Sequence, residues 1–205
     1  MQDIKKIKLI IGLGNPDEKY KNTYHNVGKL MLDYLRKKIE CDSRSMKHEL
    51  FEFYKLNNRI IVKPLTFMNE SGKAVKAALD YFKFKPEEIL AVHDDSDIEL
   101  GKYKISFARG SAGHKGIESI IKSLGTKNFW RLRIGIRKEK SKIKNQKSKI
   151  RTKAGDLVLK KIKKEDLAIL QKLFEIIVKL LKFNFDNADF LFLFSYSFPL
   201  AIFLL

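Results

Sequence analysis

The sequence predicts a single α/β domain built on a mixed, twisted β-sheet with helices on both faces. Three observations predict it. Short apolar runs at 7–13, 89–93 and 130–136 have the length and composition of buried strands. Helical segments at 25–39, 72–83, 114–123 and 164–183 are interleaved with the strands or follow them. One further pair of strands, 50–56 and 59–63, is joined only by Asn57-Asn58, a tight hairpin turn that adds an antiparallel pair.

Taken in order, the first strand runs into Gly12-Leu13-Gly14-Asn15-Pro16, and 15–23 is a turn-rich loop. The helix over 25–39 places Val27, Leu30, Met31, Tyr34 and Leu35 at helical spacing. Pro64 ends the second hairpin strand, and 66–72 is a strand-to-helix loop with Asn69 and Ser71 as candidate caps. The helix over 72–83 carries Val75, Leu79 and Phe82 on one face. Pro86 restarts the chain, and the strand over 89–93 ends at Asp94. A strand over 103–107 leads to the glycine loop 108–116, and the last helix aligns Leu167, Leu170, Phe174, Ile177 and Leu181. In such sheets ligands sit beyond the carboxyl ends of strands. Asn15, Asn69, Asp94 and the glycine loop all lie just past predicted strand ends, which groups them.

A chain of 205 residues buries a core without staples and fits one domain, here 1–189, with an extension. Lys and Arg number 42 against 24 Asp and Glu, a net charge of +18. That excess favours a polyanionic partner, nucleic acid before membrane; a generally Lys-rich surface is the alternative. The block 137–164 holds thirteen Lys or Arg against Glu139 and Asp156, and 137–153 reads as a mobile basic loop. A lone cysteine, Cys41, excludes a disulfide framework and a zinc cluster and points to a reducing, cytosol-like compartment. Met1–Lys8 leaves no room for a signal peptide. The uncharged, aromatic-rich tail 190–205 is broken by Pro199 and falls short of the roughly 20 residues of a spanning helix. Its role is open.

Gly12–Pro16 has the look of a phosphate loop, but it lacks the third glycine of a dinucleotide fingerprint and the Gly-Lys-Ser/Thr of a P-loop. Standing alone it is a strand-ending turn. His25 follows ten residues later, and Val92-His93-Asp94-Asp95 supplies acids after an apolar run. A base, an acid to orient it and amide side chains to hold a polar substrate are the parts of a hydrolase.

Five ordered blocks extend that reading. They are Gly12–Pro16 with Tyr20 and His25-Asn26-Val27-Gly28; Pro64–Gly72; His93–Asp97; Gly113-His114-Lys115-Gly116-Ile117; and Phe129–Ile136. As a set they resemble the signatures of the bacterial-type peptidyl-tRNA hydrolases over about residues 8–137, with a weaker match to Ala188. The resemblance implies the fold of that family, which is phosphorylase-like. It implies hydrolysis of the ester joining a peptide to the 3′-terminal ribose of tRNA, which recycles tRNA from prematurely released peptidyl-tRNA. The chemistry needs an activated water and a stabilised oxyanion. By resemblance His25 is the base and Asp94 its orienting acid. Asn15 and Asn69 hold the peptide main chain and the scissile carbonyl, Tyr20 and Phe67 line the site, and His114 supports the glycine loop. Lys104 and Arg133 fall on the family's phosphate-clamp positions for the tRNA acceptor stem. Neither metal, cofactor nor covalent nucleophile is implied, and the expected enzyme is a cytoplasmic monomer without membrane insertion.

Two departures stand out. Lys115 occupies the position of the family's usual asparagine, and a second clamp lysine falls on Ser106. Lysine offers three donors and a charge but no acceptor, so contact with the oxyanion or with a tRNA phosphate are the roles open to it. The basic block and Lys115 also allow a second reading, a weakly catalytic RNA-binding relative acting in splicing or assembly.

Overall fold

The computed structural model describes residues 6–39, 44–138 and 154–186. Cys41, most of the basic loop and the tail 190–205 lie outside the described residues. Seven strands, β1 (Leu9–Gly12), β2 (Met46–Lys47), β3 (Phe51–Leu56), β4 (Arg59–Pro64), β5 (Ile89–Glu99), β6 (Tyr103–Phe107) and β7 (Trp130–Arg137), form one sheet in the order β2-β3-β4-β1-β5-β7-β6. The centre, β4-β1-β5-β7, is parallel; β3 on one side and β6 on the other run antiparallel to it, and β2 pairs antiparallel with β3. The hairpin turn places Asn57 at φ +51°, a left-handed conformation that asparagine tolerates.

Alternation along the strands divides the core into two layers. Ile10, Leu90, Val92 and Leu132 face α1 (Val27–Lys38) and α5 (Lys164–Asp186). Leu9, Ile11, Ile89 and Ala91 face α2 (Ser71–Phe82) and α3 (Lys115–Leu124). Each fully buried Leu or Ile contributes about 1.5–3 kcal/mol relative to exposure, so these central strands are the rigid part of the molecule. The result is the mixed sheet with helices on both faces that the sequence predicts.

Several boundaries differ from expectation, each for a physical reason. Strand β5 does not end at Asp94 but continues to Glu99. β1 stops pairing at Gly12, opposite Val92, while β7 goes on to pair His93 with Arg133, Asp94 with Ile134 and Asp95 with Gly135. Asp94 therefore lies past the end of β1 but inside β5. The register then shifts between Asp95 and Glu99, and a Cβ on Gly135 would lie 2.0 Å from the Glu99 carbonyl oxygen. Only glycine lets the bulged strand cross that closely.

Residues Tyr24–Asn26 form a 3-10 turn, so the first helix proper starts at Val27. A second 3-10 turn, Met68–Glu70, precedes α2. Neither Asn69 nor Ser71 caps that helix: the N-cap is Glu70, without a side-chain bond, and the Ser71 hydroxyl donates to the Met68 carbonyl at 2.9 Å. β2 and α4 (Ala154–Val158) have no counterpart in the sequence reading, being too short to leave a periodic pattern.

Candidate active site

Close packing of α1 on the sheet creates the site. A Cβ on Gly28 would meet the Val92 carbonyl oxygen at 2.3 Å and the Leu13 nitrogen at 2.7 Å. With glycine there, the start of α1 lies directly on the end of β1 and on β5 at Val92. The Leu13 amide donates to the Val92 carbonyl, and the Lys29 amide to the Leu13 carbonyl. His25, on the turn just before α1, thereby reaches Asp94.

The His25 Nδ1 lies 2.8 Å from Asp94 Oδ1, and the His114 Nε2 lies 3.0 Å from the same oxygen. Asp94 is 2% exposed. Burial alone would raise its carboxyl; attraction to His114 and the hydrogen bonds from His114 and His25 outweigh burial and hold it well below the ordinary carboxylate range. An ionised carboxylate only accepts, so His25 donates through Nδ1–H, and in the neutral ring the lone pair is then on Nε2.

The His114 tautomer follows from its other side. Its Nδ1 accepts the Gly116 and Ile117 amides at 3.1 and 3.3 Å, capping α3, so its proton sits on Nε2 and points at Asp94. His114 is thus both helix cap and second donor to the acid. The loop before it holds Ala108 and Ala112 at φ +52° and +49°, left-handed backbone that costs an L-residue about 1–2 kcal/mol each. The ligand atoms of His25, Asp94 and His114 lie within 4.8 Å of one another, the donor set of a metal site. With both facing ring nitrogens protonated, neither offers a lone pair inward, and the trio is a hydrogen-bonded cluster.

Next to this cluster His93 is buried. Its ring meets that of His114 edge-on at 4.6 Å, and its Nδ1 lies 2.7 Å from the Asp94 carbonyl oxygen. Its Nε2 is buried without a hydrogen-bond partner. Burial first, and His114 second, push the imidazole well below its ordinary range, so it is neutral in the fold. The unfolded chain protonates that residue near ~6.5 and Asp94 near ~3.9. In both windows the unfolded state binds more protons, so stability is lost as pH falls, first below about 6.5 and again below about 3.9. Urea midpoints should hold from pH 8 to about pH 7 and decline from there to pH 5. A flat profile would mean that His93 is not held neutral.

Asn15 is tied on two sides. Its Oδ1 accepts the Met68 amide at 2.8 Å, while its own backbone is clasped by the Asn26 side chain, N to Oδ1 at 2.9 Å and Nδ2 to O at 3.0 Å. The Met68 bond fixes the carboxamide orientation and turns its Nδ2 hydrogens into the group available to a substrate carbonyl. Phe67 and Asn69 flank Met68 and are both exposed. Tyr20 is half-buried on the 3-10 turn Glu18–Tyr20. Lys115, at the start of α3, is exposed and bonds Glu118 at 3.2 Å. Lys104 and Arg133 face each other across β6 and β7; Lys104 is exposed, while the Arg133 Nε donates to Asp95 Oδ2 at 2.7 Å. Arg133 therefore shares its charge with the neighbour of the central acid.

The structure brings His25, Asp94 and His114 into one hydrogen-bonded group, with Asn15 joined to it through Asn26. Among the described residues Tyr20, Asn69, Lys115 and Lys104 are not bonded to that group: Tyr20 and Asn69 lie on 3-10 turns, Lys115 begins α3 and Lys104 lies on β6. Sequence reasoning gave no role to Asn26, although it lies in the His25 motif, nor to Tyr24 and Asp166.

The model of the peptidyl-tRNA hydrolase family matches residues 9–190. The chain belongs to that family. The peptidyl-tRNA hydrolase of Sulfurihydrogenibium sp. (strain YO3AOP1) is 39% identical over 188 residues, 89% of this chain and 95% of the relative. That of Lactobacillus gasseri is 47% identical over 134 residues, 64% and 72% of the two chains. A crystal structure of peptidyl-tRNA hydrolase from Acinetobacter baumannii superposes with a TM-score of 0.75 at 26% identity, covering 91% of this chain and 92% of that one. Membership in the peptidyl-tRNA hydrolases agrees with the hydrolase class and the fold expected from the five motif blocks.

Proposed function

We propose that this chain hydrolyses the ester between a peptide, or any N-blocked aminoacyl group, and the 3′-terminal ribose of tRNA. The observation that carries the residue assignment is the 2.8 Å contact of His25 Nδ1 with the buried Asp94 carboxylate. Asp94 fixes the tautomer and faces the imidazolium that forms when His25 Nε2 takes a proton from water. The hydroxide so generated attacks the ester carbonyl. The bond to the ribose 3′-oxygen breaks, and that oxygen leaves with the proton held on His25. Asn15 and Asn69 donate to the peptide main chain and to the scissile carbonyl, which suits an enzyme indifferent to peptide sequence. Tyr20 and Phe67 pack beside the ester.

Lys104 and Arg133 take phosphates of the acceptor stem, with Lys115 close enough in the chain to His114 to serve the same anion or the oxyanion. In this reading the enzyme is a monomer that works in the cytoplasm without a cofactor. Among the described residues no helix is long and apolar enough to cross a membrane.

The test is turnover of purified protein on N-acetyl-aminoacyl-tRNA beside the free aminoacyl-tRNA. Cleavage of the blocked ester with little cleavage of the free one is expected. Tight binding of both without turnover would sink the enzyme reading in favour of an RNA-binding relative.

A further inference from the structure

The segment that carries Tyr20 and His25 is not part of the sheet. It is held by residues from the far end of the chain. The Ile162 amide donates to the Asn22 carbonyl at 2.8 Å, the Tyr24 amide to the Lys160 carbonyl at 3.2 Å, and Thr23 forms an isolated antiparallel bridge with Lys161. The Lys161 Nζ reaches the Lys19 carbonyl at 2.6 Å.

One side-chain contact anchors this strap. The Tyr24 hydroxyl donates to Asp166 Oδ2, and both residues are 3% exposed. The Lys138 Nζ pairs with the same oxygen at 2.9 Å. Asp166 is the third residue of α5, where the positive end of the helix favours a carboxylate. Burial first, then Asp166, raises the Tyr24 phenol, which stays protonated and donates. A buried carboxylate needs such partners, so the pair is fixed in place.

His25 therefore sits between two anchors. On its carboxyl side Asn26 clasps the Asn15 backbone; on its amino side Tyr24 is bonded to Asp166. We propose that Tyr24 and Asp166 are positioning residues for the hydrolysis: their bond holds the 3-10 turn so that the His25 ring keeps its contact with Asp94. They act through the backbone of the turn. The inference rests on His25 being the base. Misplacement of a catalytic group by about 1 Å can cost up to 100-fold in rate, so a loosened turn should register in kcat before it registers in binding.

The experiment measures kcat and KM on N-acetyl-aminoacyl-tRNA for Tyr24→Phe, Asp166→Ala and Asp166→Asn, each below its own melting temperature. Tyr24→Phe keeps the packed ring and removes only the donor. It and Asp166→Ala should each lower kcat about tenfold with KM within about twofold, and Asp166→Asn, which keeps an acceptor, should recover much of the loss. Normal kcat in Tyr24→Phe with only a lower melting temperature overturns the proposal, because a purely structural bond would do no more than that. Should Asp166→Ala fail to fold, Tyr24→Phe decides alone. A His25→Ala control separates the two ideas: turnover retained there overturns the base assignment, whereas full kcat in Tyr24→Phe beside an inactive control overturns the positioning role.

Discussion

Replacing His25 with alanine should lower kcat on N-acetyl-aminoacyl-tRNA by about 10³-fold, the range expected when a general base is removed. KM should move little, because the groups proposed to bind peptide and RNA lie on other elements. The fold should survive. Asp94 keeps its bond from His114 at 3.0 Å, so the buried carboxylate is not left unpaired. Circular dichroism and a thermal scan of the variant check that point. A variant that retains a tenth or more of the wild-type kcat would place the base elsewhere.

Asp94→Asn should lower kcat by about 10²-fold or more. The amide matches the acid in shape and can still accept at Oδ1, so both histidines find a partner. What it lacks is charge. The imidazolium formed when water gives up its proton then faces a neutral amide in a buried setting, where the missing attraction counts for more than it would in water. Because Asp94 works through His25, the two losses should not add. In a His25→Ala background, Asp94→Asn should cost only a few-fold more. Equal costs in both backgrounds would mean that the acid acts on the substrate directly.

Much of the framework was legible because burial leaves periodic traces. The runs at β1, β3, β4 and β7, the Asn57-Asn58 turn and the amphipathic faces of α1 and α2 are local patterns. The extension of β5 through Asp94 was not legible. Its polar residues hold strand conformation through pairing with β7 alone, and an apolar-run reading stops where β1 stops. The site divides in the same way. The motif blocks drew attention to His25, Asp94 and Asn15, and the structure puts Asp94 Oδ1 at the centre of two imidazole contacts. That His114 would turn one nitrogen to a helix end and the other to the acid has no signature in a single sequence. Nor has the Tyr24–Asp166 bond, whose partners lie 142 residues apart. Side-chain periodicity reports which face a residue occupies, not which distant group meets it there.

The strap between residues 19–24 and 160–166 also bears on the order in which the protein is made. The turn that carries His25 emerges from the ribosome early, and every anchor on its amino side belongs to a segment translated some 140 residues later. Closing so long a loop costs entropy that only the finished contacts repay. A nascent chain that has already assembled β1, β4 and β5 still lacks the tether for its histidine. On a synthesis timescale of roughly 5–20 residues per second, the roughly 67 residues from the end of β5 at Glu99 to Asp166 take about 3–13 seconds. In that time the sheet can be complete and the enzyme not yet competent, an inert stage in a protein whose proposed substrate is itself an unfinished peptide on tRNA.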